Sequence, residues 1–240
     1  MRKFILSMSV LLAAVTASAQ EFSYTPNFYT GTNLMRFSLL DYFGFGFTVP
    51  TGGYMNTISA NFLSNTNFGR NREIYFNTMY VEYLPVPFLG VGMGLDCHWS
   101  SFRMNKTHYW LPKDYGECAT VAGISDDFSK VNRSVLRVFS IDMPIDINVH
   151  YGPLAVNMGV SMEINFPGYT SFKGVDTNGN KVKNGNLRST SIETEPITVN
   201  VHGAVSYYGF GMFVKYRPVP QFDEDGGPVM ETISFGILLN

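Results

Sequence analysis

Between Leu89 and Trp99 the chain carries two sequences interleaved. Leu89, Val91, Met93, Leu95, Cys97 and Trp99 are apolar or aromatic, while Gly90, Gly92, Gly94, Asp96 and His98 between them are small or polar. A β-strand sends successive side chains to opposite faces. This segment therefore has one continuous greasy face and another offering only hydrogens, a carboxylate and an imidazole. The greasy face must lie against something apolar, either a protein core or lipid.

The pattern recurs along the chain. Phe139, Ile141, Met143, Ile145, Ile147 and Val149 alternate with Ser140, Asp142, Pro144, Asp146, Asn148 and His150. After Gly152-Pro153, the apolar set Val156 to Ile164 alternates with Asn157, Gly159, Ser161 and Glu163. Ile197 to Val205, Phe210 to Tyr216 and Ile233 to Leu239 repeat it, with Gly211, Phe213, Lys215 and Arg217 on the opposite face of the second. Phe37 to Val49 follows the rule except at Asp41, and residues 73–84 have a strand's composition without an assignable inward face. These are eight strands. Short connections at 85–87, 152–153 and 207–209 alternate with long ones at 50–72, 100–132, 167–194 and 218–228, the asymmetry of an up-and-down membrane barrel. A weaker alternation from Asn56 to Leu63 leaves ten strands as the alternative count.

The content of the polar face chooses between core and lipid. An exported lipocalin-like barrel would turn that face to water, yet here it holds Gly90, Gly92, Gly94, Gly159, Gly211 and Gly236. Glycines suit the inside of a narrow barrel, where eight strands leave room only for side chains. Phe (20), Tyr (14) and a charged fraction of only 15%, against about 25% for soluble domains, fit a lipid-facing wall with aromatic girdles. The net charge of −2 implies no polyanion partner. Arg2-Lys3, the apolar run from Phe4 to Val15 and Ala17-Ser18-Ala19 predict an export signal over residues 1–19. The expected fold is thus all-β, an eight-stranded antiparallel up-and-down transmembrane β-barrel forming one domain over residues 20–240. Asp96, His98, Asp142, Asp146, Glu163, Lys215 and Arg217 fall on its inner face and are expected to pair as a polar network in the lumen, since unpaired buried charge is costly.

The export signal, the amphipathic strands and the final Glu231-Thr232-Ile233-Ser234-Phe235-Gly236-Ile237-Leu238-Leu239-Asn240 resemble the outer-membrane β-barrel domain family. That family includes small PorT-like barrels and the membrane domain of outer-membrane protein A. The segment Gly211-Met212-Phe213-Val214-Lys215-Tyr216-Arg217-Pro218 is similar to it as well, whereas the chain ends in Asn240 and not the common terminal Phe. The resemblance covers nearly all of the mature chain. It implies the outer membrane of a Gram-negative bacterium as location, membrane lipid and the barrel assembly machinery as partners, and no particular activity.

Candidate chemistry is sparse. Cys97 and Cys118 flank the second long connection, and in an exported chain they read as a disulfide or as two thiols. His98 and Ser100 share one strand face, a base and nucleophile spacing similar to that of outer-membrane lipid A deacylases, with no acidic residue identifiable to orient the histidine. Asp176-Thr177-Asn178-Gly179-Asn180 has some features of a calcium loop, but Gly is misplaced and Leu187 stands where Glu belongs. It reads as a turn, and the acidic stretch 222–227 reads as a solvated loop. No metal, cofactor, catalytic set or nucleic-acid partner is expected. The leading functional expectation is a non-enzymatic barrel acting through long extracellular loops on a surface or envelope partner. Passage of small or apolar solutes comes second, and a lipid A hydrolase third.

Overall fold

The structure, a computed structural model, describes residues 28–30, 33–51, 71–113, 117–123, 128–184, 187–222 and 227–239. The export-signal region and the 56–63 alternation lie outside them. In chain order the strands are β1 (Phe28–Thr30), β2 (Asn33–Ser38), β3 (Phe43–Thr51), β4 (Arg72–Val86), β5 (Leu89–Arg103), β6 (His108–Lys113) and β7 (Cys118–Gly123). They continue with β8 (Phe128–Tyr151), β9 (Leu154–Asn165), β10 (Tyr169–Asp176), β11 (Lys181–Lys183), β12 (Ile197–Tyr207), β13 (Phe210–Arg217) and β14 (Glu231–Leu239).

Eight of these strands close a ring in sequence order, β3, β4, β5, β8, β9, β12, β13 and β14, every pair antiparallel. The closing seam runs from Phe43 with Leu239 to Thr51 with Glu231. Closure removes the ring's free edges and pairs the backbone polar groups that lipid could not satisfy. The side chains then divide as the alternation predicts. Met158 and Met212 are each 67% exposed and Ile145 53%, whereas Glu163, Arg217 and His98 are at most 1% exposed. A water-soluble barrel would show the reverse. The chain is an eight-stranded transmembrane β-barrel.

Its two ends differ. At the turn end, β4–β5, β8–β9 and β12–β13 are joined through Pro87-Phe88, Gly152-Pro153 and Tyr208-Gly209. Tyr208 and Gly209 both have positive φ, 48° and 80°, the two-residue hairpin turn whose twist matches the strands. β1 and β2 form a further hairpin beside the turn-end half of β4.

β4 explains both irregularities of the sequence pattern. Its register against β5 slips between Asn77 and Met79, a bulge in which Thr78 donates its hydroxyl to the Leu95 carbonyl at 2.7 Å. Glu73, Tyr75 and Asn77 are buried above the slip, and Tyr80, Glu82 and Leu84 below it. The inward face changes parity at one residue, and a single alternating template cannot describe it. Facing the bulge, the chain breaks between β2 and β3, with Leu40 at φ 58°. The Asp41 amide donates to the Asn77 side chain at 3.3 Å, and the Asn77 amide donates to the Tyr42 carbonyl at 3.0 Å. Asp41 interrupts the apolar face because the strand itself is interrupted there.

At the loop end the described parts of the second and third long connections are folded structure. β8 runs on past the barrel and pairs β10, which pairs β11, and β6–β7 is a hairpin of its own. Their inner faces and the β13–β14 connection enclose an apolar core of Phe102, Met104, Trp110, Leu136, Ile192, Phe222 and Met230. A second cluster joins Tyr109, Val131, Phe172 and Leu187. The expectation of long connecting loops is corrected here to a packed cap. Asp176 to Asn180 forms its β10–β11 turn, with Gly179 at φ 83°, and residues 223–226 of the acidic stretch lie outside the described residues.

Candidate functional site

The polar residues of the inner faces converge in the lumen in two tiers. Tier one sits directly beneath the cap. Glu163 on β9 receives the Arg217 guanidinium from β13 and the His98 Nδ1 from β5, together with the Asn200 side-chain amide at 2.9 Å. Glu73 on β4 receives Lys215 Nζ at 2.7 Å and His98 Nε2 at 2.9 Å, and also the Tyr75 hydroxyl. The Tyr75 ring stacks on the His98 ring at 4.6 Å, with Lys215 Nζ 4.5 Å from its centre. Asp142 lies in register beside Glu163. Three carboxylates thus share the layer with His98, Lys215 and Arg217, and all six side chains are buried.

This geometry bears on the His98–Ser100 pair. The acidic partner that sequence reasoning could not locate is Glu163, and Ser100 Oγ lies 3.2 Å from His98 Nε2, so the three form a serine–histidine–carboxylate array. Nε2, however, also faces Glu73. Both ring nitrogens of His98 are therefore engaged by carboxylates, and Ser100 shares Nε2 with Glu73.

Tier two lies towards the turn end. His202 Nε2 meets Asp146 at 2.6 Å, and the Tyr80 hydroxyl donates to the other Asp146 oxygen at 3.2 Å. Asn148 donates to Tyr80 and to Glu82, both at 2.7 Å. His150 reaches Glu82 at 2.7 Å, and Arg36 approaches it at 3.6 Å. Between the tiers Asp96 accepts from Tyr42 and, at 2.7 Å, from Asn77. The lower tier surrounds a cavity of about 590 Å³ whose lining reaches Pro153 and Gly209 in the turns. The glycine face of β5 makes this possible: a Cβ on Gly92 would collide with the Tyr80 hydroxyl, and one on Gly90 with the Glu82 carboxylate.

All seven lumen residues named from the sequence are therefore buried inside the barrel. Asp96 and Asp142 lie opposite each other in register, and Asp146 belongs to the lower tier. Sequence reasoning missed Glu73, Tyr75, Tyr80 and Glu82, because the β4 bulge hides their face. It also missed His150 and His202 as network members, although both stand on alternating polar faces.

The cysteine expectation is corrected. No disulfide joins Cys97 to Cys118. Cys97 faces outward between Phe76 and Ile141, whereas Cys118 opens β7 opposite Lys113 in the cap hairpin. That hairpin begins beyond Arg103, six residues up β5 from Cys97, a rise of about 20 Å along the strand.

Neither a protein-family model nor a curated protein matches the chain. Among solved structures it is similar to Ail, the attachment invasion locus protein of Yersinia pestis, with a TM-score of 0.35 and 7% identity over 87% of this chain and 97% of that one. It is also similar to LpxR from Salmonella typhimurium, with a TM-score of 0.25 and 8% identity over 96% and 95%. The barrel assignment rests on the closed ring of strand registers and the outward apolar wall.

Proposed function

We propose that the chain is a non-conducting, non-enzymatic outer-membrane barrel that anchors a folded β-structure at the cell surface, its short turns facing the periplasm. One observation carries this reading. The ion cluster of tier one is continuous with the cap: Arg217 donates to Gln221, whose amide donates to the Met230 carbonyl at 2.9 Å, and Trp110 and Phe222 pack above. Buried charges and an apolar core together fill the path that a solute would take. The 590 Å³ cavity then serves as a blind recess open towards the periplasm. Such a filled barrel is in keeping with the small PorT-like and outer-membrane protein A membrane domains that the strand pattern resembles. An ordered cap also suits contact with a protein or glycan partner, because its shape is set before binding.

Flux is the test. Purified protein in planar bilayers should show no conductance above that of the empty bilayer, and liposomes carrying it should swell no faster than empty ones. Stable conductance steps, or swelling well above the control, would overturn the reading in favour of solute passage. Lipid A from cells with the protein and with its Ser100→Ala variant should have the same acyl pattern by mass spectrometry. A difference would restore the hydrolase.

A further inference from the structure

The outer wall changes character just above a stack of aromatic rings. Trp99, Phe139 and Phe166 lie side by side, with ring centres 4.8 and 5.3 Å apart. Two residues further up β8 comes Arg137, in register with Ser101 of β5, which is itself in register with Arg72 of β4. Four residues beyond, Arg133 of β8, Lys173 of β10 and Lys183 of β11 stand directly opposite one another on three consecutive strands. Like charges in that relation destabilise a sheet. No carboxylate among the described residues relieves that repulsion. Among the described residues Arg72, Arg133, Arg137, Lys173 and Lys183 make no ion pair; those present involve Arg36, Lys215, Arg217 and the lumen histidines. The acid nearest in sequence to Lys173 and Lys183, Asp176 at the β10–β11 turn, is occupied by Asn180, and Glu73, next to Arg72, is turned inward to Lys215 and His98. Tyr169 holds the Arg137 guanidinium over its ring at 5.3 Å and gives its hydroxyl oxygen as acceptor at 3.2 Å.

Position identifies the missing anion. With a rise of about 3.3 Å per residue and a strand tilt near 40°, the Arg72–Arg137 row lies roughly 5 Å above the aromatic rings and the Arg133–Lys173–Lys183 row roughly 15 Å above. The first height is that of the membrane–water interface, where aromatic girdles sit. The second is that of a headgroup extending outward. We propose that this wall binds the phosphorylated headgroups of lipids in the leaflet surrounding the loop end of the barrel. Guanidinium groups take phosphate oxygens in pairs, and lysines add point charge. The anions would neutralise the cross-strand repulsion that the sheet carries on its own.

Native mass spectrometry of the full chain, folded in a neutral detergent, tests this with dioleoyl phosphatidic acid, dioleoyl phosphatidylcholine and inorganic phosphate as probes. Phosphatidic acid should be retained at a concentration at least ten-fold lower than phosphatidylcholine, and millimolar inorganic phosphate should not displace it. The Lys173→Gln/Lys183→Gln protein should lose most of that preference. Lys106→Gln/Lys113→Gln, an equal change of charge elsewhere on the cap, should keep it. All four lysines are exposed, and heat-modifiable migration on gels verifies that each protein is folded. Equal retention of the two lipids, or equal loss in both variants, would overturn the proposal. Displacement by inorganic phosphate would reassign the wall to free anions and overturn it as a lipid surface.

Discussion

Arg217→Met tests whether the ion cluster holds the barrel and cap together. The Arg217 side chain is buried, and its guanidinium meets Glu163, the Asn200 side-chain oxygen at 3.2 Å and Gln221. Methionine retains the length and apolar stem but supplies no donor. Breaking a buried ion pair costs about 3–5 kcal/mol because the surviving charge is stranded. Glu163 would keep His98 and the Asn200 amide, so the lower figure, about 3 kcal/mol, applies. The Gln221 and Asn200 oxygens each lose a donor, at about 1 kcal/mol apiece, for a total near 5 kcal/mol. Equilibrium urea unfolding of the vesicle-folded protein measures it, and the two tryptophans divide the signal. Trp110 is buried in the cap and Trp99 faces outward in the wall, so with Trp99 replaced by Phe the emission reports the cap alone. It should shift to the red at lower urea than the loss of barrel circular dichroism. Adding Glu163→Gln should leave the pair less destabilised than the sum of the single changes by at least about 1.5 kcal/mol, as expected for residues in contact. A single-variant loss below about 1 kcal/mol, or simple additivity, would refute a cluster that acts as a unit.

Val160→Arg places a charge on the outward wall between Ile145 and Val201, and should cost about 2–4 kcal/mol in the same urea titration if that position lies at mid-membrane; a change under 1 kcal/mol would place it outside the lipid. Gly92→Leu should destabilise by about 1–3 kcal/mol through overpacking against Tyr80, and Tyr80→Ala in the same chain should relieve most of that loss; no relief would refute the stated clash. Hydrogen bonds from the Asn180 amide and side chain hold the Asp176 carboxyl below the ordinary aspartate range. Its folded pKa lies below the unfolded one, so any contribution to the hairpin is present above the unfolded value and is lost as pH falls through the folded one. An NMR titration of Asp176 should therefore have a midpoint below that of the Asn180→Ala protein, and equal midpoints would refute the cause.

Where one template of period two holds from end to end, as in β5, β9 and β13, the sequence names the wall and the lumen residue by residue. It fails at Thr78, where one extra residue changes the parity of β4 and conceals Glu73 and Glu82, the partners of Lys215 and His150. Asp41 is misread for the matching reason on the facing strand. The cap was not legible because its core is assembled from residues far apart in the chain. Trp110 meets Phe222 across more than a hundred positions, and neither segment has a period of its own. The cysteines misled because an exported chain with two of them invites a bridge, while the alternation had already placed Cys97 on the outer face of its strand.

One consequence follows from the length of β8. Its 24 residues run unbroken from the turn end into the cap, about 80 Å of continuous strand. A cap hung on loops could swivel, but one built on a barrel stave shares the stave's tilt and azimuth. A partner arriving from outside would meet the cap at a constant angle to the membrane plane, and neighbouring copies would present it alike. A sideways pull on the cap would likewise travel as shear down β8 to Asp142 and Asp146, and the strain would be felt inside the lumen.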